Sequence, residues 1–391
     1  MRVFAIGMLF VAGCASESAP LAGVVGELPD ALRFSDGRRV TSKAQWPERR
    51  EEILELFREH VYGRSPGAPD QLVFTVLEEN PAALGGAANL RRVAITSRQA
   101  GREHTFELVR FAPNTGAASG VFLLLNNRDA NRTDPTRVEK SEFWPVEEAI
   151  ARGYAIAAIQ NDELALDDAS PFVAGVIPLF EGDATGERPP DAWKAIGAWS
   201  WGASRAMDYF ETDPLVDPAR VAVIGHSRGG KAALWAGAQD ERFSLTISNG
   251  SGCAGAAISR RPRGVRETIT VINSLFPDWF AENFRNYNDN EDALPIDQHM
   301  LVGLIAPRNV AIASGSNDAW ADPEGEYLGL AHASSVYALW GFPAIDPLGM
   351  PSEDNAIYEE PRGYHLRTGN HDLTLWDWQR YMDVADRSWP R

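Results

Sequence analysis

The sequence predicts an α/β fold: a mostly parallel sheet with helices on both faces and an N-terminal antiparallel extension. Three observations carry this. From Gly120 onward, short apolar runs alternate with helix-period segments, which implies parallel strands joined by crossover helices. Between Leu72 and Ala112 the apolar residues alternate with polar ones around turn glycines, which implies antiparallel strands. The stretch Arg220 to Asp240 passes from a β-branched run into an Ala- and Leu-rich helix through Gly225-His226-Ser227-Arg228-Gly229. That G-x-S-x-G strand-to-helix turn is the nucleophile elbow of the α/β-hydrolase fold.

The elements follow in order. Residues 1–14 are one positive residue and a short apolar core ending Val11-Ala12-Gly13-Cys14, too short to span a bilayer as a stable helix. They read as a secretory signal whose ending resembles a bacterial lipobox, so the expectation is an exported protein lipid-anchored at Cys14, in the periplasm or outer membrane. Residues 15–30 read as a flexible tether. Gln45 to Tyr62 has apolar residues at helical spacing and stops at Gly63, so it predicts an amphipathic helix. Leu72 to Leu77, Leu90 to Thr96 and His104 to Phe111 predict antiparallel strands with turns at Gly85-Gly86 and Gly101. Parallel strands are expected at Val121 to Leu125, Ala155 to Ile159, Val221 to Ile224, Leu245 to Ser248 and Val310 to Ser314, and a further strand at Tyr364 to Arg367. Helices are expected at Pro145 to Arg152, Asp191 to Phe210, Lys231 to Gln239 and Tyr327 to Trp340. Two long segments, 161–190 and 250–295, fall where loops cross the carboxyl ends of the strands and are expected to wall a cleft. The organisation is one α/β-hydrolase domain over 31–391, with 31–119 its N-terminal helix and antiparallel strands and 120–391 its catalytic core.

With 391 residues the chain can bury a large core, and a formal net charge of −17 without any basic run argues against nucleic acid as a partner. Its two cysteines are Cys14 and Cys253. With Cys14 lipidated, Cys253 is a lone thiol expected to be buried. No other apolar run reaches membrane-spanning length, so membrane contact is expected only through the N-terminal lipid anchor.

The elbow explains its own composition. A chain that turns from strand to helix in one residue holds Ser227 in a strained conformation, and side chains at Gly225 and Gly229 would collide there. The turn aims the first free helix N–H groups at an oxyanion forming beside the hydroxyl. Serine needs an adjacent base oriented by a carboxylate. In the hydrolase order the base follows the last strand. His371, after the turn cluster Thr368-Gly369-Asn370 and before a helix start marked by Thr374 and Asp377, is preferred to His365, which lies inside the strand. The acid belongs on the loop after Val310 to Ser314, which offers Asp318 and Asp322. Asp318 is nearer the strand end, while Asp322 precedes Pro323 and can start a turn. His226 points away from its neighbour and is expected to pack. His60, His104, His299 and His332 show no metal-ligand spacing, so neither metal nor cofactor is expected.

The run from Gly225 to Asp240, together with Ser248 to Ala257, Arg260-Arg261, Leu294 to His299, Leu304 to Arg308 and Trp320 to Pro323, resembles the glucuronoyl esterases of carbohydrate esterase family 15, in their bacterial branch. The resemblance runs from about Gly120 to the C-terminus. It implies a carboxylic ester hydrolase acting on esters of (4-O-methyl-)glucuronic acid, as in glucuronoxylan or lignin–carbohydrate esters. It further implies Ser227 as nucleophile, His371 as base, Arg228 at the oxyanion, Lys231 and Glu267 on the sugar hydroxyls and Trp320 beside the sugar ring. Two departures stand out. Fungal members take the triad acid from the loop that here reads Asn249-Gly250-Ser251, so the acid must come from the Asp318 loop. The loop after Leu125 reads Asn126-Asn127-Arg128-Asp129, without the family's Gly-Asn-His. A monomer is expected. The competing expectations are an acetyl-xylan or other carbohydrate esterase, and a non-catalytic surface carbohydrate-binding lipoprotein.

Overall fold

Runs such as Val121 to Leu125 carry apolar residues at consecutive positions, as strands covered on both faces must. The computed structural model, which describes residues 23–116, 118–167, 172–182, 186–262, 264 and 266–389, shows ten strands in one sheet. They are β1 (Gln71–Ala83), β2 (Ala88–Gln99), β3 (Arg102–Pro113), β4 (Val121–Asn126), β5 (Ala155–Gln160), β6 (Val221–His226), β7 (Leu245–Asn249), β8 (Asn309–Gly315), β9 (Asn355–Glu359) and β10 (Arg362–Arg367). Their order is β1-β2-β3-β5-β4-β6-β7-β8-β10-β9. The strands from β5 to β10 in that order are mutually parallel, and β1 to β3 and β9 run antiparallel.

Alternation along β4 divides the core. Val121, Leu123 and Leu125 face one layer with Trp199, Trp235 and the helices Ala195–Phe210 and Arg228–Gln239. Phe122 and Leu124 face the other, with Trp144, Trp378 and the helices Val146–Ala151 and Leu375–Ser388. The three N-terminal strands continue this same sheet, since β3 pairs with β5 from Leu108↔Ile159 to Phe111↔Ile156.

Several expectations need correction. The helix expected at Tyr327 to Trp340 begins at Pro323, because Asp322 caps it and proline suits the first helical turn, and it breaks into Pro323–His332, Ser334–Tyr337 and Ala338–Trp340. Strand β9 was not expected: it is a half-exposed edge whose sequence lacks a strong apolar period. The segment from Gln45 to Tyr62 is an α-helix to Phe57 and then one π turn before Gly63. The signal segment, Cys14 and the tether up to residue 22 lie outside the described residues. The end of the tether is docked and not free: Val25 donates its N–H to Arg260 O at 3.0 Å, and Arg261 Nη1 donates to Gly23 O at 2.6 Å.

Candidate active site

Ser227 sits at the tip of the elbow with φ 56° and ψ −127°, a region that side chains rarely occupy. The turn closes tightly enough that a Cβ on Gly225 would lie 2.0 Å from Gly229 O, so glycine is required there. Ser227 N–H donates to Asn249 O at 2.8 Å, tying the elbow to the end of β7. The N–H groups of Arg228 and Gly229, in the first turn of the following helix, find no main-chain acceptor among the described residues. The partly exposed Ser227 hydroxyl likewise makes no hydrogen bond among them.

Residues far apart in the sequence meet this tip. His371 Nδ1 and Asp318 Oδ2 are 2.5 Å apart, with the imidazole 32% exposed and the carboxylate 3% exposed. A Cβ on Gly250, next to Asn249, would lie 3.4 Å from His371 Nδ1 and 3.5 Å from Asp318 Oδ2. The His371 ring also packs at 4.4 Å, centroid to centroid, on His226, the residue before Ser227. The elbow that carries Ser227, the imidazole and the carboxylate therefore gather at the carboxyl ends of β6, β7 and β8. Because Nδ1 is committed to Asp318, Nε2 is the nitrogen left for proton transfer.

The alternatives have structural duties. Asp322, with φ 56°, accepts from Gly325 N at 3.0 Å as helix cap and pairs with Arg261 Nε at 2.9 Å and Nη2 at 3.0 Å. Buried His365 hydrogen-bonds Asp377 Oδ1 at 2.9 Å. Arg367, also on β10, donates to Asp377 and to the carbonyls of Thr368, Asn370 and Asp372, so it shapes the loop that carries His371.

On the opposite flank, Arg228 Nε ion-pairs Asp167 Oδ2 at 2.7 Å, Nη2 donates to Asn127 O at 3.3 Å, and the guanidinium lies 5.8 Å from the Trp279 ring centre. Asp167 and Trp279 come from the two long loops, which thus meet beside the elbow. Lys231 is 2% exposed, and its ammonium donates at 2.6 Å to each of Ser251 O, Cys253 O and Glu267 Oε2. All three of its donors find partners inside the protein, so Lys231 braces Glu267, the other residue expected on the sugar hydroxyls. Glu267 N donates to Trp320 O at 2.9 Å, and the Trp320 side chain, 41% exposed, stands open to solvent beside the Asp318 loop. It is no core residue.

Sequence reasoning missed several contributors. Glu326 is fully buried and accepts from Ser251 N (2.6 Å), Ser251 Oγ (3.0 Å), Gly252 N (3.1 Å) and Ser314 Oγ (2.6 Å). It thereby clamps the loop after β7 to β8. Burial pushes its carboxyl up to about 8 despite those donors. Arg128 and Asn249 flank His226. The sequence carries no period or spacing that singles out these residues. Cys253 is a free buried thiol that burial pushes up to about 12, the inert state expected of it. His299 and His332 approach to 6.4 Å between ring centres, closer than their spacing implied, but no group of three or more His, Cys, Asp or Glu is placed to hold a metal among the described residues. No helix among those residues is long and apolar enough to cross a membrane.

Comparison with known proteins adds to this geometry. A family model described as "Glucuronyl esterase, fungi" matches residues 190–341. The chain is 42% identical over 388 residues to the carbohydrate esterase MZ0003 of an unknown prokaryotic organism, covering 92% of this chain and 89% of that one. It is 29% identical over 341 residues to 4-O-methyl-glucuronoyl methylesterase 1 of Wolfiporia cocos, covering 85% of this chain and 76% of that one. A solved glucuronoyl esterase from Solibacter usitatus superposes with TM-score 0.87 at 38% identity, over 94% of this chain and 100% of the other.

Proposed function

Because the chain belongs to the glucuronoyl esterases of carbohydrate esterase family 15, we propose that it is a serine esterase hydrolysing esters of (4-O-methyl-)glucuronic acid, such as those between xylan and lignin. The observation that carries the reading is the meeting of Asp318, His371 and the Ser227 elbow beside the Lys231–Glu267–Trp320 cluster.

His371 Nε2 takes the Ser227 proton as Oγ attacks the uronoyl carbonyl, and Asp318 stabilises the imidazolium. The N–H and guanidinium of Arg228 receive the oxyanion; one such donor is worth about 3 to 4 kcal/mol in other hydrolases. His371 then protonates the departing alcohol. Water, deprotonated by the same imidazole, opens the acyl-enzyme and frees the glucuronate. On the sugar, Glu267 held by Lys231 accepts from hydroxyls while Trp320 offers its face to the ring.

The test compares benzyl glucuronate with p-nitrophenyl acetate for the protein and its Ser227→Ala variant. Preferential cleavage of the uronate ester, lost in the variant, supports the reading; retained turnover removes Ser227 from it.

The opening residues support a further part of the proposal: export, with a lipid anchor on Cys14 and a monomeric catalytic body, one chain supplying every group named above. Cys14→Ser is expected to move the protein from the membrane fraction to the soluble one. Sedimentation of the soluble form reads the oligomeric state.

A further inference from the structure

Against the His371 ring lies a chain of polar groups, buried except for the half-buried Arg128, that the reaction itself does not use. Arg128, on the loop after β4, places Nη2 3.2 Å from His226 Nε2. His226 Nδ1 is 2.7 Å from Asn249 Oδ1, and Asn249 Nδ2 is 2.9 Å from Tyr381 Oη. An arginine has donors and no acceptor, so His226 Nε2 must present its lone pair. The proton then sits on Nδ1, Asn249 must turn its carbonyl to that proton, and its amide faces the tyrosine oxygen. One guanidinium thus fixes the sense of every bond in the chain.

The arrangement is built from both ends. Arg128 N–H donates to Asn126 Oδ1 at 3.0 Å, and Gln160 Nε2 donates to Arg128 O at 2.8 Å, so its loop is pinned across β4 and β5. His226 and Asn249 are partners in the β6–β7 register. The Phe143 ring meets the His226 ring edge-on at 5.9 Å. The charged groups bearing on His226 are His371 from the loop after β10, Arg128 from the loop after β4 and Asp377 from the C-terminal helix. Arg128 itself feels Asp372, Asp129, Arg132 and Arg228.

We propose that Arg128 is a positioning residue for the base: by donating to Nε2 it locks His226 as a neutral Nδ1–H imidazole, a fixed and uncharged floor for His371. The proposal rests on the reading of His371 as the general base. During the reaction His371 becomes an imidazolium 4.4 Å from the His226 ring. A second imidazole able to take a proton there would repel that charge or turn its ring. Burial, followed by the His371 charge, holds the His226 pKa well below its ordinary value, and the guanidinium facing Nε2 leaves no acceptor for a second proton.

The test is 15N NMR of the imidazoles, whose seven histidines keep assignment simple, alongside pH–rate profiles of Arg128→Met and Arg128→Lys. In the parent protein His226 is expected to stay an Nδ1–H tautomer from about pH 5 to 9. Arg128→Met is expected to lower kcat on benzyl glucuronate by about tenfold or more with KM little changed, and to turn the one-proton acid limb into a two-proton limb. Arg128→Lys, which restores a cationic donor, is expected to recover the one-proton limb. An Nε2–H or titrating His226 in the parent protein overturns the proposal, even if Arg128→Met does not fold. So does a folded Arg128→Met with unchanged kcat and limb, or with a loss confined to KM. Full turnover by His371→Asn would instead overturn the assignment of the base, while the His226 tautomer would remain readable.

Discussion

Asp318 and His371 are 53 positions apart in the chain and 2.5 Å apart in space, whereas Asp322, four residues beyond Asp318, faces Arg261. The division follows from the backbone. Asp318 lies in the turn directly off β8, and Asp322 has already become the cap of the next helix.

Asp318→Asn is expected to keep the fold and lower kcat by about 10⁴, because an amide cannot stabilise the imidazolium and favours the wrong tautomer. Asp322→Asn is expected to leave kcat nearly unchanged and to lower stability by about 3 kcal/mol through loss of the buried Arg261 pair. Steady-state kinetics and urea titration separate the two.

Lys231→Met is expected to destabilise the protein by about 3 to 5 kcal/mol, since it strands a buried carboxylate and two carbonyls. A pure sugar-binding lysine would raise KM and leave the urea midpoint where it was.

Trp320→Ala is expected to change stability by less than about 0.5 kcal/mol. If the indole stacks on the sugar, KM for a glucuronate ester rises about three- to tenfold. The rate on p-nitrophenyl acetate is expected to hold.

Glu326 gives a pH signature. Its carboxyl is raised to about 8 in the fold, above its ordinary value, so the folded state holds that proton more tightly than the unfolded chain does. Its contribution to stability is complete below about pH 4.5 and is lost as pH rises through about 8. Glu326→Gln keeps a neutral group in place, so its Tm relative to the parent is expected to climb between about pH 5 and 9. A constant difference across that range would mean the carboxyl is ionised throughout.

The elbow was legible because its requirement is local: a strand, two glycines at fixed offsets and a helix. The same holds for His371, which the turn cluster and the Thr374–Asp377 capping box mark as a loop residue before a helix. The burial of Lys231 was not legible because helical spacing tells which side a residue faces but not how much chain covers it. The carbonyls of Ser251 and Cys253 arrive from a loop 20 and 22 residues away. Glu326 reads as an ordinary polar helix residue, and only the packing of its helix against the loop after β7 makes it buried. The Arg128–His226–Asn249 chain joins three strand ends, and strand order lies outside what periodicity can reveal.

The four-residue pairing of β3 with β5 bears on how the chain can be shortened. A protein trimmed to begin at Gly120 would keep every residue of the reaction centre yet leave β5 as a bare margin of unsatisfied amides flanked by Ile156 and Ile159. Such a margin recruits any neighbouring strand, so the shortened protein would self-associate and precipitate. The three N-terminal strands, which supply none of the reacting groups, are what cover this margin.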